Sequence, residues 1–381
     1  MDERMLRTWA EVRLGDLVHN MKAIRASLPA GTGVKFLGVV KADAYGHGAV
    51  QVARALTTEA ENGADYLAVA CPDEALELRA AGIDAPLLIL GPVPAARVPE
   101  LLCAHVTLAV GSPAAARAYS DAASACGGTL RVHVKADTGM SRTGFQCTDT
   151  RFAAGVAEIA AACRLPHLEA EGIFTHFAVS DEPDSPECVE YTRKQLRLFL
   201  DVTAALEREG ITFPLRHCAN TGATLYFPEL AALDMVRPGI LLYGYGDVKG
   251  KLDLRPCMRL KTRVAAVQTY PAGTRISYGG TFVTERETRM GVLPVGYADG
   301  LHRCLGNRCE FYTPQGLAPQ RGRICMDMCM IDLTDLPEVN AGDPIEIFGP
   351  HARLEKLAGA AGTITYELLC AVSRRVPRIY C

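Results

Sequence analysis

Short apolar segments alternate with amphipathic segments along the first two thirds of the chain. The apolar segments have no polar face, a pattern typical of strands buried on both sides of a parallel sheet. The intervening segments place apolar residues at helical spacing, as between 190 and 209, where Gly210 follows as a cap. The predicted strands are 36–40, 66–70, 86–90, 106–110, 130–135, 172–177, 215–218 and 235–237.

Eight strand and helix units within about 210 residues favour a closed parallel barrel over an open sheet. The alternative is a doubly wound sheet, but no Gly-x-Gly-x-x-Gly sequence follows the first strand. We therefore predict an N-terminal (β/α)8 barrel of the TIM type. In such a barrel the chemistry lies at the carboxyl ends of the strands.

The alternation stops at a polar, glycine-bearing stretch, 245–250, which we take as a domain boundary. Residues 1–246 then form the barrel and 247–381 a C-terminal β-rich domain, which the opening strand at about 7–13 could also join. Within 247–381, strands are expected in 258–269, 290–295, 310–313, 328–333 and 345–348, and long helices only in 362–375.

Composition narrows the function classes. The chain has 381 residues, 49% of them apolar, and a net charge of −3, so neither a nucleic-acid surface nor a disordered tail is indicated. Residues 1–4 lack the pattern of a signal peptide, and no apolar run approaches ~18 residues. We expect a cytoplasmic protein without a membrane segment. The 14 cysteines are scattered and lack histidines at ligand spacing, so no metal site is expected.

Lys41 directly follows the first predicted strand and precedes Tyr45, Gly46, His47 and Gly48. A lysine at a strand end is commonly a solvated rim residue. If it lies among apolar groups, however, its pKa falls, and the resulting amine can form a Schiff base with an aldehyde cofactor. From the residues alone, both possibilities stay open.

The segment 39–48, Val-Val-Lys-Ala-Asp-Ala-Tyr-Gly-His-Gly, resembles the pyridoxal-phosphate lysine signature of the alanine racemases. Further motifs match the same family in order along nearly the whole chain. The resemblance implies pyridoxal 5'-phosphate as cofactor, Lys41 as its attachment point and interconversion of L-alanine and D-alanine. D-alanine supply for peptidoglycan is the expected role.

The end of the fifth strand carries charges of both signs. Alternation places His133, Lys135 and Asp137 on one side, where buried charges are either paired or functional. In the family, the arginine of this motif contacts the cofactor's phenolic oxygen and the substrate carboxylate, which implies these roles for Arg142. Lys135 matches a lysine that is N-carbamylated in many members and holds that arginine.

The sixth, seventh and eighth strands also end in polar residues. His176 and Arg237 could each be ordinary structural residues. The resemblance implies instead that His176 stacks on the pyridine ring and Arg237 faces its nitrogen, which then stays unprotonated because guanidinium does not release its proton. It places Asp181 at the opening of the substrate pocket. The implied phosphate ligands are Tyr45, Thr221, Gly239 and Ile240.

A racemase needs a proton donor or acceptor on each face of the substrate. The segment 277–282 resembles the one that bears the family's second base, which implies Tyr278 for that face, aided by His176. The family places this tyrosine in the partner's active site, within a head-to-tail homodimer. From the residues alone, an exposed turn tyrosine is the favoured interpretation of Tyr278.

Other motif matches concern the substrate pocket. They imply that the backbone N–H of Met326 binds the carboxylate, that Arg303 and Arg323 line the opening, and that Tyr366 narrows the pocket to a methyl side chain. The alternatives are a serine or broader-specificity racemase, a pyridoxal-phosphate decarboxylase, a barrel protein that only carries the cofactor, and a structural protein. Absorbance of the Schiff base and release of carbon dioxide would separate these classes.

Overall fold

The computed structural model describes residues 6–31, 33–58, 63–247 and 249–381. Residues 1–4, on which the signal-peptide expectation rests, and Val248 in the predicted boundary stretch lie outside these ranges. Two compact units are formed, one by Leu17–Ala44 and Ala49–Leu254 (the barrel unit) and one by Met1–Asp16, Tyr45–Gly48 and Arg255–Cys381 (the sheet unit). No helix in the described ranges has both the length and the apolar character needed to cross a bilayer.

Strands and helices are numbered in chain order. The strands are β1 (Thr8–Val12), β2 (Lys35–Val39), β3 (Tyr66–Val69), β4 (Leu87–Ile89), β5 (Thr107–Val110), β6 (Leu130–Asp137), β7 (Phe145–Gln146), β8 (Leu168–Phe174), β9 (Leu215–His217), β10 (Met235–Val236), β11 (Met258–Arg263), β12 (Ala266–Tyr270), β13 (Arg275–Ile276), β14 (Phe282–Val283), β15 (Thr288–Leu293), β16 (Glu310–Thr313), β17 (Gly316–Arg321), β18 (Cys329–Asp332), β19 (Pro344–Phe348) and β20 (Arg378–Tyr380). The helices are α1 (Leu14–Ala26), α2 (Lys41–Tyr45), α3 (Ala49–Thr57), α4 (Pro72–Ala80), α5 (Val98–Cys103), α6 (Pro113–Ala125), α7 (Phe152–Cys163), α8 (Pro186–Arg208), α9 (Thr221–Tyr226), α10 (Pro228–Ala231), α11 (Leu354–Ala361) and α12 (Thr365–Ala371).

The barrel unit is built on a parallel sheet with strand order β10-β2-β3-β4-β5-β6-β8-β9, and β7 pairs with β6 outside this path. Each of these eight strands matches a predicted one. Two backbone hydrogen bonds nearly close the ring, from Asp234 N–H to the Arg216 carbonyl (3.0 Å) and from Arg237 N–H to the Ala219 carbonyl (2.9 Å). The predicted barrel is therefore confirmed.

The turn after β2 has an unusual hand. Ala42, Asp43 and Ala44 have φ of 54°, 53° and 53° and ψ of 50°, 46° and 51°, so α2 is a single left-handed turn made without glycine. This conformation costs about 1–2 kcal/mol for each residue with a Cβ. Polar contacts compensate: Glu74 accepts from Ala42 N–H (2.6 Å), and Asp43 accepts from Ala49 N–H (2.7 Å).

The sheet unit contains, within the described residues, a nine-stranded sheet in the order β12-β15-β18-β17-β16-β19-β11-β1-β20. The predicted β-rich domain is thus confirmed in its class. The opening strand β1 lies inside this sheet, antiparallel to β11 and parallel to β20.

The strands β13, β14, β17 and β20 were not predicted, and two further details of the sheet unit differ from the sequence prediction. The segment 258–269 was expected as one strand but forms β11 and β12, because β11 pairs with β1 and β19 whereas β12 pairs with β15. The helical segment 362–375 is also shorter than expected. Gly362, with φ of 72°, ends α11, a helix that was not predicted, and α12 stops at Ala371.

Candidate active site

The predicted cofactor residues of the barrel unit follow the carboxyl ends of their strands. Lys41 comes after β2, Lys135 lies near the end of β6, and Arg237 follows β10. The carboxyl ends of parallel barrel strands share one rim, so these side chains are gathered there. His176 follows β8. Burial and nearby positive charges hold the pKa of this imidazole well below its usual value, and burial has the largest effect. The charges, in decreasing order of effect, are those of Arg237, Arg142, Lys135 and Lys41. His176 is therefore neutral at pH 7.

Lys135 is almost completely buried in this positive surrounding. Its Nζ donates to Thr143 Oγ1 at 2.6 Å. Burial, followed by the charges of Arg142 and Arg237, lowers the pKa of Lys135 to about 8, against the opposing effect of Asp137. Most of this amine is still protonated at pH 7, but its uncharged fraction is far larger than that of an ordinary lysine.

Arg142 is exposed in the loop that follows β6. Asp137, at the end of that strand, shapes the loop because its Oδ1 accepts hydrogen bonds from Gly139 N–H and Ser141 N–H, both at 3.0 Å. Ser141 has a left-handed φ of 56°. The Asp137 carboxylate thus stabilises the conformation of the loop that carries Arg142.

Arg237 is the most deeply placed charge of the rim, with 4% of its surface exposed. Its guanidinium donates to His217 Nδ1 (2.9 Å), to the Thr175 carbonyl (2.9 Å) and to the Cys218 carbonyl (3.2 Å), and lies 3.4 Å from His176 Nδ1. None of these partners is a carboxylate. Burial lowers the pKa of Arg237 to about 10, which still leaves the group protonated at pH 7.

The loops after β9 and β10 bring together three of the four predicted phosphate ligands, Thr221, Gly239 and Ile240. Gly239 N–H donates to Thr221 Oγ1 at 3.1 Å, and buried Ile240 opens a 3-10 helix directly afterwards. Gly222 leaves room for a close approach: a Cβ there would lie 2.6 Å from the Asp181 nitrogen. Asp181 itself is exposed.

Tyr45 and Tyr366 belong to the sheet unit and form a pair, with ring centroids 6.0 Å apart. Burial, together with Tyr366 and Cys370, raises the pKa of Tyr45. The turn carrying Tyr45 packs tightly against α12, since a Cβ on Gly46 would lie 2.3 Å from the Leu369 carbonyl oxygen.

Tyr278 lies in a 3-10 helix of the sheet unit and is 72% exposed. It lines a cleft of about 1050 Å³ together with Tyr297, Cys325, Met326 and Met328. Met326 is also largely exposed. Arg303 and Arg323 are exposed side chains of the same unit, and the Arg323 guanidinium packs against Gly279, next to Tyr278.

Ser277, the residue before Tyr278, has φ of 64° and ψ of −178°, a region that almost only glycine adopts. Its hydroxyl donates to the Arg323 carbonyl at 2.7 Å and lies 3.4 Å from Cys325 Sγ. Gly322, whose φ is 76°, must lack a Cβ because one would lie 2.8 Å from Ser277 Cβ. No sequence pattern indicated this strained residue beside the predicted base.

A histidine pair below Arg237 was also missed. No role was predicted for His217, the last residue of β9. The structure places it between Arg237 and His133, and His133 in turn contacts Glu171. Two histidines within the predicted barrel strands, one in β6 and one in β9, were the available signal. The position of Glu171 depends on a β-bulge that periodicity does not show.

Each part of the chain matches a known protein family. Two family models match the chain: "Alanine racemase, N-terminal domain" over residues 12–247 and "Alanine racemase, C-terminal domain" over residues 257–380. The chain belongs to the alanine racemase family. The resemblance inferred from the sequence is thereby confirmed, as is the class of enzyme, a pyridoxal-phosphate-dependent isomerase.

Similar alanine racemases cover the chain from end to end. Alanine racemase 2 of Caldanaerobacter subterraneus subsp. tengcongensis is 44% identical, over 100% of this chain and 96% of that protein. The alanine racemase of Desulforamulus reducens is 45% identical over 98% of both. Among solved structures, that of the Clostridium difficile 630 alanine racemase has a TM-score of 0.91 and 37% identity, covering 99% of this chain and 96% of that one.

The rim residues fit the cofactor of the alanine racemases. Four cations surround a neutral imidazole, and a buried guanidinium has no carboxylate among its hydrogen-bond partners. Such a surrounding suits an anionic group that carries a phosphate, a phenolic oxygen and a ring nitrogen able to accept a hydrogen bond. The adjacent Thr221 hydroxyl and Gly239 N–H are donors of the kind that bind phosphate.

Proposed function

We propose that this protein interconverts L-alanine and D-alanine with pyridoxal 5'-phosphate by two-base proton transfer. Lys41 would act on one face of the substrate and the partner subunit's Tyr278 on the other, in a head-to-tail homodimer. The observation that carries the proposal is the group of Lys41, Lys135, Arg142 and Arg237 around neutral His176. The names of the similar proteins support alanine as substrate.

Each rim residue takes a role suited to its chemistry. Lys41 would hold the cofactor covalently and move a proton at Cα. Tyr45, Thr221, Gly239 and Ile240 would bind the phosphate, and His176 would lie against the ring. When bound, the cofactor withdraws electrons from the α-carbon and so acidifies its proton.

The substrate carboxylate would be held by Arg142 and the backbone N–H of Met326. Lys135 would keep Arg142 in place; its lowered pKa supports carbamylation there, because only an uncharged amine reacts with carbon dioxide. Asp181, Arg303 and Arg323 would line the opening of the substrate pocket.

Arg237 would donate a hydrogen bond to the ring nitrogen of the cofactor. Because its pKa of about 10 keeps it protonated at pH 7, it would not pass a proton to that nitrogen. Electron withdrawal is then limited, which disfavours side reactions such as transamination.

Tyr278 would supply the second proton-transfer group. Its exposure at the rim of a cleft supports action on another chain. Because the Arg237 guanidinium faces His176 Nδ1 at 3.4 Å, neutral His176 would carry its proton on Nε2. It could then donate a hydrogen bond to the phenol oxygen, which favours loss of the phenol's proton. Tyr366 would limit the pocket to a methyl side chain, which favours alanine over serine, the second candidate substrate. Synthesis of D-alanine for peptidoglycan in the cytoplasm is the proposed role.

Racemisation tests the proposal. The purified protein with pyridoxal phosphate is given L-alanine, L-serine or L-lysine, and D-products are measured by chiral chromatography while carbon dioxide is monitored. We expect D-alanine to form fastest without gas release. Lys41→Ala should abolish racemisation and the pyridoxyl label found on the Lys41 peptide after borohydride reduction, whereas the surface variant Lys194→Ala should retain both. Full activity in Lys41→Ala would disprove the central role, and carbon dioxide release would indicate a decarboxylase.

A further inference from the structure

A line of hydrogen bonds leads from Arg237 into the interior of the barrel unit. Arg237 Nη1 lies 2.9 Å from His217 Nδ1, and His217 Nε2 lies 2.8 Å from His133 Nδ1. His133 Nε2 is 3.3 Å from Glu171 Oε2, whose other oxygen accepts from the Tyr66 hydroxyl at 3.0 Å. The buried guanidinium is thus connected to a carboxylate that it does not touch.

The chemistry of the groups fixes the direction of every hydrogen bond. A guanidinium only donates, so His217 Nδ1 must accept and its Nε2 must carry the proton. His133 Nδ1 therefore accepts, and His133 Nε2–H donates to the carboxylate of Glu171. Both imidazoles are then neutral Nε2–H tautomers. A proton on either Nδ1 would set two donors against each other.

The local backbone is adapted to this line of groups. The pairing of β6 with β8 shifts between Val132 and His133, which face Ala170 and Gly172, so Glu171 occupies a bulge. A Cβ on Gly172 would lie 2.8 Å from the His133 ring, so only glycine leaves space for that imidazole.

The line is also shielded from solvent. His133 and His217 have no exposed surface, and Phe174 stacks on His217 with ring centroids 4.9 Å apart and planes 5° from parallel. Hydrogen bonds in such surroundings are electrostatically stronger than in water.

Two further residues, Thr107 and Arg131, also interact with the Glu171 carboxylate. Thr107 Oγ1 lies 3.4 Å from Oε2, and Arg131 Nη1 lies 3.7 Å from Oε1. The Arg131 side chain is 40% exposed, so solvent screens its charge. The hydrogen bond from His133 is the largest cause that lowers the pKa of Glu171, which therefore stays ionised at pH 7.

We propose that Glu171 is a positioning residue that acts on Arg237 through His133 and His217. It fixes the tautomers of both rings, presents an acceptor to the guanidinium, and offsets the buried positive charge along a polarised line of hydrogen bonds. The consequence for the reaction rests on the proposed function, in which Arg237 faces the cofactor ring.

The first test observes the histidines directly. In the 15N-histidine-labelled full-length protein, proton–nitrogen correlation spectra report the tautomer of each ring; resonances are assigned with His133→Phe and His217→Phe. We expect His133 and His217 to be neutral Nε2–H forms, and Glu171→Gln to shift the nitrogen resonances of both. Glu169→Gln, an exposed carboxylate on the same strand, should shift neither. A protonated ring, an Nδ1–H tautomer, or an unchanged His217 resonance in Glu171→Gln would overturn the proposal.

The second test measures coupling during turnover. Glu171→Gln and His133→Phe should each lower kcat for alanine racemisation about tenfold with little change in KM. The double variant should lose no more than either single variant, because both interrupt the same line. Additive losses, or full activity in Glu171→Gln, would overturn the role in catalysis. If the natural protein racemises no amino acid, the proposed function fails. The nitrogen resonances still test whether Glu171 acts on the two histidines through the line of hydrogen bonds.

Discussion

At the level of single residues, charge placement separates the barrel rim from an ordinary surface. Lys135 is buried beside two arginines, and its pKa falls to about 8 from an ordinary value of 10.5. Folding therefore lowers the proton affinity of the Lys135 amine. Between these two values the unfolded chain binds more protons than the folded protein, so the Lys135 contribution to stability rises with pH.

The direction of this pH dependence can be measured by replacing Lys135 with an uncharged side chain. Below about pH 8 the natural protein carries the full cost of the buried charge, so Lys135→Met should be the more stable of the two. From about pH 8 to 10.5 this advantage should shrink by about 1.4 kcal/mol for each pH unit. Urea unfolding of both proteins in carbon-dioxide-free buffers gives the difference. Parallel pH curves for the two proteins would contradict the lowered pKa.

Sequence identified the rim residues because strand ends can be recognised locally. Lys41, His176 and Arg237 each follow an apolar segment, and a barrel brings such positions together. Glu171 and Ser277 could not be found in this way. The first depends on a shifted strand register and the second on a positive φ at a residue other than glycine. The roles assigned to the individual site residues stay predictions.

At the level of elements, the left-handed turn α2 is the least expected part of the fold. Gly46 and Gly48 follow Tyr45, yet the chain adopts the left-handed conformation earlier, at residues that carry a Cβ. Contacts from Glu74 and Asp43 hold it. Intrinsic propensity is here overridden by polar contacts that only the folded chain provides.

Glycine should therefore be favourable in this turn. Ala42 is exposed, with φ of 54° and ψ of 50°, so Ala42→Gly should raise the free energy of unfolding by about 0.5–1 kcal/mol. The same change at exposed Ala157, inside the right-handed helix α7, should lower it by a similar amount. Chemical unfolding of the two variants compares the signs directly. Equal destabilisation at both sites would argue against a left-handed turn in solution.

The elements that the sequence predicted well are those with local patterns. The eight barrel strands are found within a few residues because each is an apolar segment bounded by turns. The segment 258–269 was misjudged because its division depends on which distant strands each half pairs with. The domain boundary at 246/247 stays a prediction.

For the molecule as a whole, the proposed homodimer predicts that two inactive variants regain activity when they form a mixed dimer. If each site takes Lys41 from one chain and Tyr278 from the other, Lys41→Ala and Tyr278→Phe chains should complement each other. Their mixed dimer would contain one site with both natural residues.

Mixing the two variants should restore activity. Equal amounts of the two variants are unfolded and refolded together, so that chains pair at random. Half of the dimers are then mixed, and each mixed dimer has one intact site of its two. The mixture should therefore have about a quarter of the activity of the same amount of natural protein. The control is each variant refolded alone. Activity no greater than the sum of the two controls would mean that Lys41 and Tyr278 do not act across chains.

The position of β1 has a consequence for synthesis on the ribosome. Thr8–Val12 is synthesised long before its neighbours β11 and β20, because Ala10 pairs with Leu260 and Arg378. At about 5–20 residues per second, translation would leave this apolar strand without its partners for tens of seconds. The strands of the barrel unit gain theirs much earlier. The nine-stranded sheet is thus completed only after β20 has been synthesised, and β1 is the segment that a nascent-chain chaperone would most usefully protect.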